Sequence, residues 1–294
     1  MKISFANVVI SSREFTPNDI MQIKKLMIQH PDITRTALSR KVCDVLHWFR
    51  PNGQPNDMTC RVALNRLEKM GLITLPPAIQ TNSNGKWLPQ LTKASDPGEP
   101  INEPAGLLAP ISLVVITPGK KARLWKELIH RYHYMGYKPL AGAQLRYLIY
   151  CERGLLGAMS FSASAWTIAP RDKWIGWSDQ ARRKNLQLVV GNSRFLILPW
   201  ITSKNLASKI LGLIARELPG HWQQKHGYKP LLLETFVEAK RFSGACYKAA
   251  GWIYVGQTQG RGKLDRYHHS FLPVKNIFVY PLHANFRQQL CSSI

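Results

Sequence analysis

Apolar residues fall at helical spacing in three short blocks near the start of the chain and at strand-like spacing through most of the rest. Thr16-Pro17-Asn18-Asp19 reads as a helix start, with a capping Thr and Pro at the first helical position. Ile20, Ile23, Met27 and Ile28 then give one apolar face, and His30-Pro31-Asp32 stops it. A second helix starts near 34–36 and carries Leu38, Val42, Val45, Leu46 and Phe49. Residues 50–56 are turn formers. A third helix, 58–70, turns Leu64 and Leu67 inward and Arg61, Asn65, Arg66 and Lys69 outward. Gly71 ends it, and Leu72-Ile73-Thr74-Leu75 begins a strand.

The stretch 76–110 breaks the pattern. Seven prolines fall there among Ser, Asn, Thr and Gly with no apolar period, which predicts a semi-rigid tether. Beyond it, strands are expected at 111–117, 145–151, 155–161, 194–199, 231–237, 252–255 and 277–280. Helices are expected at 118–135, 179–189, 204–218 and 244–250. The chain is thus predicted to be α+β: a helical module at 1–75, a Pro-rich linker at 76–110, and an α/β domain with a mixed central sheet at 111–294.

Charge changes what this organisation is for. Lys and Arg number 40 against 17 Asp and Glu, a net charge of +23. Residues 111–294 alone hold 27 basic and 8 acidic side chains. Such a field draws polyanions, so DNA, single- or double-stranded, is the expected partner. No run of eighteen apolar residues suggests a membrane span. The start MKISFANVVI has no small-residue cleavage site, which argues against a signal peptide. The five cysteines are scattered, without a C-x-x-C pair, so neither a disulfide framework nor a structural zinc is expected and a reducing cytoplasm fits. No metal site is expected.

NRLEKMGLITLPP after two short helices resembles a winged helix-turn-helix, whose recognition helix needs long polar and basic side chains on one face. Wider resemblance rests on Arg131-Tyr132-His133-Tyr134-Met135-Gly136-Tyr137, on FSASAW at 161–166, on Ile175-Gly176-Trp177 and on NSRFLILP at 192–199. LETFV at 233–237, Cys246-Tyr247 and VGQTQGRG at 255–262 complete it. Together these resemble the Druantia anti-phage protein DruA family, which also has stand-alone and transposon-associated members. The resemblance implies an anti-phage or mobile-element setting, with other defence-system or transposition proteins as partners. More distantly, residues 111–294 resemble the GNAT-like group that contains the Mom DNA-modification proteins, on His133-Tyr134, on Asn205-Leu206-Ala207-Ser208 and on YKAAGW at 247–252. That likeness implies a GNAT-like domain, a DNA base as acceptor and an acyl-CoA or similar thioester as donor. The turn Thr202-Ser203-Lys204-Asn205-Leu206-Ala207 has none of the glycines of the usual pyrophosphate loop. Lys204, Asn205 and Ser208 therefore stand as the residues for either coenzyme phosphates or a DNA phosphate, and the cofactor is left undecided.

Four side chains are candidates for catalysis. Glu234 lies inside an otherwise apolar strand, where a carboxylate is costly unless paired or neutral; it is either a general base or the partner of Arg194. His133 and Tyr134 suit acid/base work, or else pack as aromatics under a loop. Tyr247 opens a short helix, and in GNAT enzymes a Tyr near this place protonates a departing thiolate. Cys246 beside it is either a thiol activated by the helix N-terminus or a small buried residue. Nucleic-acid contacts are assigned to Arg61, Asn65, Arg66, Lys69, Arg146, Arg194 and the loop residues Arg261, Lys263 and Arg266. Trp166 and Trp177 belong either to that set, as stacking platforms, or to the core. Three readings follow: a DNA-binding protein that recognises or modifies DNA, a non-catalytic DNA recruiter, and a nuclease or transposase component using Asp172, Glu234 and Asp265.

Overall fold

The computed structural model describes residues 7–11, 13–78, 88–108, 110–140, 142–260 and 272–292. It forms two compact units. One comprises residues 1–83 with 225–228, and the other comprises 84–224 with 229–294.

In the first unit, strands β1 (Val8–Ile10) and β2 (Arg13–Phe15) pair antiparallel ahead of three helices: α1 (Pro17–Gln29), α2 (Arg35–Val45) and α3 (Asp57–Lys69). Thr16 and Asp19 close a reciprocal capping box on α1, and Thr34 caps α2. Ile20, Ile23, Leu38, Val42, Leu64 and Leu67 meet in one core with Phe15. The strand expected at 72–75 does not form among the described residues. Leu72, Ile73 and Leu75 are buried there, but the Leu75 amide donates to Glu68 Oε1 at 3.0 Å rather than to a strand.

The second unit is a mixed seven-stranded sheet in the order β3-β4-β5-β6-β7-β9-β8. The strands are β3 (Ser112–Val115), β4 (Gln144–Cys151), β5 (Gly154–Ala163), β6 (Val189–Ile197), β7 (Leu232–Glu238), β8 (Ile253–Gln257) and β9 (Lys275–Pro281). Every pair is antiparallel except β6 with β7. Helix α4 (Lys120–Tyr132) lies on one face, where Trp125 sits under Arg146 of β4. Helix α7 (Leu206–His226) lies on the other, where Tyr147 bonds His221 at 3.3 Å. The helix expected to stop at Leu218 runs through Pro219, which removes one backbone hydrogen bond. The fully buried Trp222 on its next turn anchors the continuation. Two short helices follow β5, α5 (Ala169–Ile175) and α6 (Asp179–Asn185), while α8 (Ala245–Ala249) follows β7 and α9 (Phe286–Cys291) follows β9.

Within the Pro-rich stretch, residues 88–108 hold to this second unit, whereas the Pro76 carbonyl accepts from Arg35 of α2 in the first at 2.6 Å. Thr92 donates through its amide and hydroxyl to the buried Glu127 of α4, both at 2.8 Å, and Tyr132 donates to the Ser95 carbonyl at 2.8 Å. Ile101 pairs in parallel with Ile201, and the Ala105 amide donates to the Lys204 carbonyl at 3.1 Å. Among the described residues no helix is long and apolar enough to cross a membrane, and no three His, Cys, Asp or Glu are grouped to hold a metal.

Candidate functional site

A wedge between β6 and β7 makes the site. The two strands pair only from Val189–Leu232 to Asn192–Thr235. Beyond that, β6 follows β5 and β7 follows β9, so the parallel pair splays. A bulge in β6 helps: Ser160 faces Arg194 and Phe161 faces Asn192, which leaves Ser193 extra. Gly157 is needed on β5 because a Cβ there would lie 2.2 Å from the Leu196 carbonyl oxygen. The resulting cleft holds about 560 Å³ and is closed by the C-terminal end of α4, by Ala207 of α7 and by residues 241–247.

Its floor is a satisfied polar network. Asn192 donates both amide hydrogens to the Ser160 and Arg194 carbonyls, at 3.0 and 3.1 Å. The Tyr247 hydroxyl donates to Asn192 Oδ1 at 2.7 Å, and Thr235 Oγ1 lies 3.4 Å from the same hydroxyl. Burial raises the Tyr247 pKa. Tyr247 is set there by Gly244, whose φ of +73° starts α8, and its ring stacks on Phe278. Asn192 carries no signal because it falls before the strand expected at 194–199, and Thr235 none because it sits in an expected strand beside the more conspicuous Glu234.

Three of the four residues predicted as catalytic line this cleft: His133, Tyr134 and Tyr247. His133 stacks on Tyr134 at 4.8 Å, and Tyr134 meets Phe242 at 5.4 Å with the Arg241 guanidinium 5.0 Å over its ring. Burial, aided by the charge of Arg194, pushes the His133 imidazole down to about 4, so it is neutral near pH 7. The Tyr134 hydroxyl is pushed up by burial and by Glu238. Cys246 is not an activated thiol, because burial raises its pKa and outweighs the backbone donors of the helix.

Glu234 is not brought to the cleft. It is fully buried one residue from Thr235, and its partner is Arg171 of α5, not Arg194. Arg171 Nη1 donates to Glu234 Oε2 at 3.0 Å, and Ser164 Oγ donates to Oε1 at 2.5 Å. Arg171 also donates to Asp172 at 2.8 Å and to the Ala165 carbonyl, and its guanidinium sits over Trp177. A guanidinium therefore stands between Asp172 and Glu234, and Asp265 lies outside the described residues. Arg171 left no signal in the sequence beyond its place in a short polar helix.

The remaining candidates scatter. Trp177 is buried and donates to Asp172 at 3.1 Å, so it is core. Trp166 is 53% exposed but follows Ala163, which pairs with Val190 at the end of β6 away from the cleft. Arg146 lies over Trp125 and donates to Gln144 at 3.1 Å. Lys204 and Asn205 are exposed, Asn205 with φ +64°, and Ser208 donates to the Asn205 carbonyl. The Thr202 amide is already given to Ile101, so the turn is a poor cradle for a pyrophosphate. In the first unit Arg61 pairs with Asp57, Asn65 accepts from Arg35, and Arg66 and Lys69 are exposed on α3. Arg261, Lys263 and Arg266 lie outside the described residues.

The profile of the Druantia protein DruA family matches residues 66–273. The chain belongs to that family. Among curated proteins, none matches it. Solved structures similar to this DruA-family chain include an aminoglycoside acetyltransferase AAC(6')-Ib in complex with coenzyme A (15% identity, 61% of this chain and 99% of the other, TM-score 0.39). Others are FeeM, an N-acyl amino acid synthase from uncultured soil microbes (12%, 61% and 93%, 0.36), and an N-acetyltransferase from Staphylococcus aureus Mu50 (10%, 59% and 99%, 0.35).

Proposed function

We propose that this DruA-family protein is a nucleic-acid-recognising component of a Druantia-type anti-phage system. In this reading its second unit, a GNAT-like domain, binds DNA rather than transforming it. The observation that supports this best is the cleft lining. It brings two guanidinium groups, Arg194 and Arg241, beside exposed aromatic rings, and its described lining holds no carboxylate. Aromatic faces between cations are what an unpaired strand needs. Exposed Arg66 and Lys69 on α3 supply a second, duplex-facing surface in the manner of a winged helix. The Glu234 carboxylate, the best general base in the sequence, is used up in an ion pair with Arg171. The Tyr247 hydroxyl is engaged by Asn192.

The test is to titrate the full chain with single- and double-stranded DNA across salt. The same mixtures are then incubated with acetyl-CoA or Mg²⁺ and examined by nucleoside mass spectrometry and gels. Salt-sensitive binding with no new base mass and no cutting is expected; no binding at low salt sinks the reading. A second reading, group transfer to DNA, is favoured by one feature: His133 and Tyr247 share the cleft. A donor-dependent new base mass that disappears in Tyr247→Phe selects it.

A further inference from the structure

Arg194 is a buried cation that stands in the cleft wall. The residue is 6% exposed, and among the described residues its side chain donates from Nη1 to the Ser193 carbonyl at 2.6 Å. Among the described residues no carboxylate pairs with it, and burial alone lowers its pKa. Buried charges are normally paired, because an unpaired one loses its hydration for nothing. The nearby acid, Glu238, acts on Tyr134 and on its cross-strand neighbour Lys275, which itself feels Arg194. A guanidinium so placed is a fork for an oxyanion entering from the cleft.

What surrounds it narrows the ligand. Arg241 supplies a second positive charge at the mouth, over Tyr134. Tyr134 and Phe242 are 38% and 48% exposed, large rings held open beside the cations. A cleft of about 560 Å³ suits a small organic ligand rather than a helix. We propose that the cleft binds a nucleoside phosphate, with the phosphate on Arg194 and the base against Tyr134 and Phe242. This rests on the nucleic-acid reading above and names the part of the nucleic acid that enters. A duplex carries its phosphates on a convex surface that cannot reach a recessed guanidinium. The source is therefore either a free nucleotide or an unpaired one in a strand.

Calorimetric titration of the full chain with dAMP, deoxyadenosine and a short single-stranded oligonucleotide tests this. The phosphate should tighten binding about 10- to 100-fold over the nucleoside, the range expected for charge-assisted bonds. Arg194→Gln should erase that difference, Arg194→Lys should keep part of it, and Arg241→Gln should reduce it. Inorganic phosphate should compete with dAMP. If Arg194→Gln does not fold by circular dichroism, the lysine variant, Arg241→Gln and the competition carry the test. Arg194-dependent binding of the oligonucleotide without dAMP binding assigns the strand as the source, and the reverse assigns the free nucleotide. Deoxyadenosine binding as tightly as dAMP, or variants indistinguishable from wild type on every ligand, overturns the proposal. DNA binding with an indifferent Arg194 removes the anchor and leaves the nucleic-acid reading. Arg194-dependent dAMP binding without DNA binding at low salt does the opposite.

Discussion

Replacing Glu234 with Gln should cost stability, and the cost can be estimated from its surroundings. Both Glu234 and Arg171 are fully buried and meet at 3.0 Å, so the amide leaves a guanidinium out of water with one acidic partner fewer. Breaking a buried pair from one side typically costs about 3–5 kcal/mol. Asp172 stays within 2.8 Å of Arg171 and compensates part of this, which places Glu234→Gln near 2–4 kcal/mol. Arg171→Met removes the cation from both acids and from the Ala165 carbonyl, and should cost about 3–5 kcal/mol. The double variant Arg171→Met with Glu234→Leu should recover much of either loss, since an apolar pair of similar volume need not desolvate charge. Urea unfolding followed by circular dichroism reads all three. If each single variant lies within about 0.5 kcal/mol of wild type, or the double equals the sum of the singles, the network is not the support described here.

Three other outcomes follow from the geometry. Gly244→Ala forces a left-handed φ on a residue whose Cβ would meet the Phe278 ring at 2.6 Å; thermal unfolding should show a loss of about 2–4 kcal/mol. Native His133 titrates at about 4, below its unfolded value of 6.5. Stability from this group is thus full above about pH 6.5 and falls as pH drops towards 4, by at most about 3 kcal/mol. His133→Asn should flatten that part of the pH–stability curve. Arg66→Ala and Lys69→Ala on α3 should each reduce the slope of log affinity against log salt for duplex DNA by about 1, read by gel shift.

Most elements were legible where period and composition agreed. The capping Thr16 and Pro17 of α1, the apolar stripe of α3 and the apolar runs of β4, β5 and β7 all announce themselves in the sequence. Tertiary effects hid the rest. Gly191-Asn192-Ser193 looked like a break before a strand at 194. It is the middle of β6, because Gly191 lies against Glu234 and Asn192 spends its side chain on backbone carbonyls. Leu72 to Leu75 looked like a strand because it is apolar, and it is apolar because it is core. The sequence offers Arg194 either as a nucleic-acid contact or as the partner of Glu234; only the splay of β6 from β7 shows it lining a cleft. Glu234 stood out correctly as a carboxylate needing a partner, but that partner lies 63 residues away on α5.

Amide hydrogen exchange of the full chain, with and without a single-stranded oligonucleotide, asks most directly whether the wedge is the recognition site. Exchange should slow at 133–135, 192–197 and 241–247 on addition of the strand, and that protection should be lost in Arg194→Gln. Protection confined to α3, or none in those three segments while the strand is bound, would contradict it.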